Sequence, residues 1–325
     1  MPETHRQTYP LSDHYDGRVF FNPGDFQLPR FSDILRWQLN RQAARWPREV
    51  PFRPQPLPPA PAGGAISATW INHASFLLRT EQHNILIDPV FSLCCGPFGR
   101  FGPRRVHPPG IALESLPPIH AVFVSHDHYD HCDLPALRQI VRAHRPLAVT
   151  PLGNGALLRR AGFRSIVELD WWQQRAVFPE LLVSVVPSQH WSNRLSGRRC
   201  GRLWGGFYIQ NPGGRRVHFV GDTGYHPKLF RQIRDRMGAS DLAMVPIGAY
   251  EPRWFMKSQH CNPEEAVRIH RELGAAVSVG MHWGTFQLTD EARDEPPAAL
   301  RRALSDAGEP QESIRILEPG STLVV

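Results

Sequence analysis

The residues able to do chemistry gather in one short run and three later positions. The run is Ser125-His126-Asp127-His128-Tyr129-Asp130-His131, and the later positions are His190, Asp222 and His282. His126 and His128 are two apart, so on an extended strand end they point the same way and can share one metal ion. Asp130 and His131 follow in the turn, where the curling backbone aims them at a second ion. His190 and Asp222 complete a four-ligand set with His126 and His128. Asp130, His131 and His282 hold the second metal, and the Asp222 carboxylate bridges both. Such a bridge suits ions ~3.5–4 Å apart, with a hydroxide between them made nucleophilic near neutral pH. This is the chemistry of a dinuclear hydrolase, with Asp130 and Asp222 catalytic as well as metal-binding. Imidazole and carboxylate without thiolate fits two zinc ions, and manganese or iron would also be accommodated.

A lone H-x-H is a weak signal. The full H-x-H-x-D-H, directly after the apolar run 121–124 and before a capped helix, is specific. Asp88 ends an earlier strand and is expected to orient a ligand histidine rather than bind metal. His73 reads equally well as such an outer partner or as a core histidine. His260, just ahead of Asn262, can donate a proton or hydrogen bond to a substrate phosphate, and is taken as a third catalytic residue.

Each donor must be positioned by an element, and the elements are legible. The apolar runs 183–186, 217–220 and 276–279 lead to His190, Asp222 and His282. Loops beyond strand ends are where open α/β sheets place their sites. Strands are expected at 68–71, 75–78 and 84–87, with more around 165–220. Asp133 caps a helix with Pro135 in its first turn, and a second helix runs from Asn262-Pro263-Glu264-Glu265 to a stop at Gly274. Strands followed by strand–helix alternation suggest two sheets packed face to face with helices outside. Ahead of them, 31–46 is an amphipathic segment with Phe31, Leu35 and Leu39 at helical spacing, and 51–62 is a proline-dense tether. The chain therefore divides into an N-terminal extension, 1–62, and a hydrolase domain, 63–325.

With 325 residues, 41% hydrophobic and 21% charged, the chain has the composition of a soluble globular enzyme. No apolar stretch approaches the ~20 residues a spanning helix needs. The opening Met-Pro-Glu-Thr-His lacks a secretory pattern, and Cys94, Cys95, Cys132, Cys200 and Cys261 form no C-x-x-C pair. Both point to a cytoplasmic protein with reduced thiols. The net charge of +7 favours anionic partners. The mixed aromatic and arginine run 98–105 suits an anionic bilayer.

The motif order H-x-H-x-D-H, a later His, Gly221-Asp222-Thr223-Gly224 and a last His resembles the metallo-β-lactamase superfamily. Thr69-Trp70-Ile71-Asn72-His73-Ala74, Leu86-Ile87-Asp88-Pro89, Leu116-Pro117-Pro118-Ile119, the run 248–257, Asn262-Pro263-Glu264-Glu265 and His282-Trp283-Gly284-Thr285-Phe286 narrow the resemblance. They are similar to the N-acyl-phosphatidylethanolamine-hydrolysing phospholipase D branch, over roughly residues 66–290. The resemblance implies an α/β fold, the αβ/βα four-layer sandwich, with a two-zinc site in a groove between the sheets. It implies the same two ligand sets, with His260 as the later histidine that assists catalysis. It implies hydrolysis of N-acyl-phosphatidylethanolamine to phosphatidic acid and an N-acylethanolamine. The expected partner is phospholipid, with peripheral contact at the inner membrane face and no nucleic acid; a homodimer is compatible with the family. A sugar-phosphate lactone or RNA phosphodiester would use the same fold and metals. A metal-free binding protein of this fold would be expected to have lost ligands, and here none is missing.

Overall fold

The computed structural model describes residues 9–24, 26, 28–179, 181–211 and 213–325. The first helix, α1 (Phe31–Leu39), is shorter than the amphipathic segment 31–46. It stops because the following residues bind elsewhere: the Arg41 side chain pairs with Asp290, the Ala44 amide donates to the Asp290 carbonyl and the Trp46 indole to the Glu291 carbonyl. Its apolar face of Phe31, Leu35 and Leu39 is exposed, while Trp37 on another face stacks on Phe255.

Two seven-stranded sheets follow. The first contains β1 (Ser67–Asn72), β2 (Ser75–Arg79), β3 (Asn84–Ile87), β4 (Ala121–Phe123), β5 (Leu147–Pro151) and β6 (Ile166–Leu169). The second contains β7 (Gln174–Phe178), β8 (Leu181–Val186), β9 (Gly206–Gln210), β10 (Arg216–Phe219), β11 (Leu242–Pro246), β12 (Val277–Met281) and β13 (Ile314–Arg315). The last strand, β14 (Thr322–Val324), returns to pair with β1. Strands β3 to β6 are parallel, as are β10 to β13. The expected strands at 68–71, 75–78 and 84–87 are β1, β2 and β3.

The sheets face each other across a core built on Trp70, Phe76 and Phe123 from one and Phe207 and Phe219 from the other. On the outer face of the first sheet, α2 (Leu134–His144) and α3 (Gly155–Ala161) bury Leu137, Ile140, Leu157 and Leu158 against Leu77, Leu86 and Val122. Outside the second sheet lie α4 (Leu229–Met237), α6 (Pro263–Leu273) and α7 (Glu295–Asp306), with the short α5 (Arg253–Met256) preceding α6. This is an α/β sandwich of two mixed sheets flanked by helices. The expected caps are present: Asp133 accepts from the Ala136 amide, and Asn262 and Glu265 form a reciprocal box ending at left-handed Gly274.

Strand direction decides where the chemistry lands. β8 and β10 are each antiparallel to β9, so they run the same way, and β12 follows through β11. The C-terminal ends of β8, β10 and β12 therefore share one edge. They deliver His190, Asp222 and His282 to a common place, which the loop after β4 faces from the other sheet.

Candidate metal centre

All seven residues expected to hold metal come together between those strand ends. His126 Nε2 lies 3.0 Å from His128 Nδ1, which lies 3.2 Å from His190 Nε2. Asp222 Oδ2 is 4.0 Å from His126 Nε2 and 3.7 Å from His190 Nε2. A second set closes on the same oxygen: His131 Nε2 at 3.2 Å and His282 Nε2 at 3.1 Å from Asp222 Oδ2, and 3.6 and 3.3 Å from Asp130 Oδ2. Bonds of ~2.0–2.1 Å to a tetrahedral ion place donor atoms ~3.3 Å apart. Both sets bracket that spacing, and they share Asp222 Oδ2.

Unsatisfied atoms in the cluster fit a cation. His131 Nε2, His282 Nε2, His260 Nδ1 and Asp222 Oδ1 are buried without a hydrogen-bond partner among the described residues. Buried polar atoms are otherwise nearly always paired. In His131, His190 and His126 the opposite ring nitrogen is tied down, which fixes which nitrogen aims inward. His131 Nδ1 donates to Asp88 Oδ2 at 2.7 Å, His190 Nδ1 donates to the Gln259 carbonyl at 3.0 Å, and His126 Nδ1 meets Ser125 Oγ at 2.9 Å. Asp88 also accepts from the Ser125 amide, so it orients His131 and the loop's first turn together.

The electrostatics ask for positive charge. Burial opposes ionisation of Asp130 and Asp222, yet His131 and other neighbouring imidazoles hold both carboxyls well below the usual range. Conversely, burial lowers His282, but Asp222 and Asp130 overcome it and raise it to about 9; His131 is raised for the same reason. Burial and neighbouring imidazoles drive His126 and His190 well below their ordinary value, and burial alone accounts for most of the lowering of His260 to about 4. Divalent ions at those nitrogens would supply the positive charge that the buried carboxylates draw toward them.

The remaining expected residues fall at the margin. His260 Nδ1 lies 3.9 Å from Asp222 Oδ2, with its ring 5.1 Å from His190 and 5.4 Å from His282. Arg253 places it, donating to the His260 carbonyl while pairing with Glu265 of α6. His73 Nε2 contacts Asp130 Oδ2 at 3.1 Å, and its ring sits 4.0 Å from His282, which favours the outer-partner reading over the core one. His73, Asp88 and His282 all take left-handed backbone, with φ of 43°, 43° and 64°. Non-glycine residues adopt this at a cost, and such strain clusters at functional sites. Gly221, ahead of Asp222, has φ +70°, which a side chain would resist.

Several supporting residues escape sequence reasoning. Arg194 Nη1 donates to the carbonyls of both Asp127 and Cys132, clamping the donor loop at its two ends. Arg202 pairs with the buried Asp127 carboxylate at 2.7 Å, which also accepts from the Asn193 amide. Asn22 donates to the His190 carbonyl and accepts from its amide. Asp133 does more than cap α2, accepting from the Phe91 and Ser92 amides. Each of these interactions spans dozens of residues or joins unpatterned loops, so no local signal announces it.

Residues 83–283 match a family model described as the beta-lactamase superfamily domain. The chain belongs to the metallo-β-lactamase superfamily. An uncharacterised protein of Mycobacterium tuberculosis is 39% identical over 296 residues, covering 88% of this chain and 76% of that protein. N-acyl-phosphatidylethanolamine-hydrolysing phospholipase D 1 of Caenorhabditis elegans is 37% identical over 252 residues, 74% and 70% of the two chains. The mitochondrial enzyme of that description in Saccharomyces cerevisiae is 33% identical over 236 residues, 71% of this chain and half of its own length. The chain falls in the branch that contains these phospholipases. Among solved structures, an isothiocyanate hydrolase from Delia radicum gut bacteria superposes with a TM-score of 0.62 at 22% identity, over 79% of this chain and 98% of that one. A metallo hydrolase from Ignicoccus hospitalis gives 0.59 at 21%, over 80% and 98%. Both share the fold. The protein is a metal-dependent hydrolase of metallo-β-lactamase fold with a His/Asp cluster able to hold metal.

Proposed function

We propose that the protein is a dinuclear zinc phosphodiesterase that hydrolyses N-acyl-phosphatidylethanolamine to phosphatidic acid and an N-acylethanolamine. The observation that carries the reaction class is the single Asp222 oxygen common to two tetrahedrally spaced donor sets. The substrate reading rests on the identities of 37% and 33% to the phospholipases of that description. His126, His128, His190 and Asp222 would hold one ion, and Asp130, His131, Asp222 and His282 the other. When bound, the ions supply charge to the phosphate and activate water as the nucleophile. The chain's own residues do the rest. Asp222 sets the separation of the two donor sets, and Asp130 is held in line by His73. His260, a neutral imidazole at the rim, donates a hydrogen bond to a phosphate oxygen or to the departing ethanolamine oxygen.

Access from a phospholipid surface fits the residues flanking the centre. Phe98 and Phe101 are exposed beside Arg100 and Arg104 on a loop tied to the site through Ser92–Asp133 and the Arg105–Phe286 bridge. Among the described residues no helix is long and apolar enough to cross a membrane.

Product analysis by mass spectrometry, with and without chelator, tests the reading. Chelator-sensitive release of phosphatidic acid and N-acylethanolamine supports it. No release from metal-loaded protein would keep the hydrolase and discard the lipid substrate.

A further inference from the structure

A second concentration of charge lies at the opposite end of the first sheet. α2 starts at the donor loop and runs away from it for 11 residues, about 16 Å at the helical rise of ~1.5 Å per residue. Around its far end Arg138, Arg142, Arg145, Arg160 and Arg164 line one depression of about 540 Å3. Its lining includes Val141 and Phe163, and no acidic residue. Among the described residues none of these five guanidiniums has an ion pair or hydrogen bond. None of the carboxylates that pair with arginine elsewhere reaches this depression: Asp127 holds Arg202, Asp241 holds Arg215, Glu265 holds Arg253 and Glu309 holds Arg271.

Helix ends explain part of this. Arg142 and Arg160 sit in the last turns of α2 and α3, where cations complement the negative end of the dipole. That effect fades beyond one turn, so it does not account for Arg138, six residues before the end of α2, or Arg164, in the turn after α3. Five cations without acidic partners lining one concave surface give it a positive potential that favours an anion. Guanidinium groups bind phosphate oxygens two at a time. A duplex or bilayer would call for cations spread along a protruding face rather than gathered into a hollow.

We propose that this depression binds a small soluble molecule carrying two or more phosphate groups, at a site separate from the metal centre. Calorimetric titration of the full-length, metal-loaded protein with inorganic tripolyphosphate, at fixed ionic strength, tests it. Saturable binding of one tripolyphosphate per chain at this site is expected, tighter than sulfate. The double variant Arg138→Gln/Arg164→Gln should weaken it roughly 100-fold, about tenfold for each guanidinium–phosphate hydrogen-bond pair removed. Because both residues are exposed and unpaired, the variant should melt no lower than the parent and hydrolyse substrate at the parent's rate. Binding that survives the double variant but disappears in Asp222→Asn would belong to the metal centre and overturn the proposal. No binding tighter than sulfate would overturn it too, as would binding confined to an oligonucleotide or to phosphatidic acid vesicles.

Discussion

The two halves of the donor cluster are built in different ways. One half is a single loop, 125–131, which supplies four donors and is held by a dense web: Asp88 on Ser125 and His131, Arg194 on both ends, Arg202 and Asn193 on Asp127. The other half is three residues shortly beyond three strand ends, His190, Asp222 and His282, each located by sheet topology and a few hydrogen bonds to its backbone. A contiguous loop needs bracing because nothing in a loop's own backbone fixes four side chains. Strand ends need less, because the hydrogen-bonded ladder already sets their spacing. Damage to the loop's bracing should therefore spread to both metal positions, whereas damage at His190 or His282, each in one donor set only, should stay with one ion.

The largest effect should come from the residue where the halves meet. Asp222→Asn should reduce turnover by more than the roughly 10–100-fold typical of losing an outer partner, with bound metal falling below two ions per chain. Near-normal turnover with full occupancy would remove the bridging role. Metal removal should leave the fold in place but lower the melting midpoint, because ions that bind only the folded chain stabilise it. An unchanged midpoint after chelation would count against metal at this cluster.

Next, Asp88→Asn should weaken metal binding by roughly 10–100-fold by loosening His131. The contrast between halves is then sharpened by two truncations. Arg194→Met leaves the Asp127 and Cys132 carbonyls without their donor, at about 1–3 kcal/mol each, and should lower occupancy of both ions. Asn22→Ala frees only the His190 backbone and should lower occupancy of one. Equal loss of both ions in the two variants would show that the halves do not differ as described.

The smallest effect is a pH dependence remote from the centre. His218 on β10 is buried with neither ring nitrogen partnered among the described residues, and burial pushes it down to about 3. The unfolded chain takes up a proton near pH ~6.5 that the folded chain refuses. Stability present above that pH is therefore lost as pH falls toward 3. His218→Leu should shift the acid-unfolding midpoint to lower pH, and an unchanged midpoint would mean another group governs it.

Much of this was legible in the residues. Periodicity and caps marked the strands before the donors and both helices, because a cap such as Asn262 or Asp133 acts on amides three residues away. The expected helical stretch through Trp46 ended at Leu39, since residues 41–46 satisfy polar groups near 290 that lie far off in sequence. The exposure of Phe31, Leu35 and Leu39 was equally hidden: periodicity reveals an apolar face but not which face meets the protein.

By itself the amino-acid sequence determined the donor types, their order, and the strands that carry them, because these depend on interactions within a few residues. Only the tertiary structure decided that β8, β10 and β12 end at one edge, and that a single oxygen of Asp222 serves both donor sets. It also decided that Arg194, Arg202 and Asn22 hold the donors still. Those outcomes depend on strand direction and on the packing of distant segments, which no local pattern encodes.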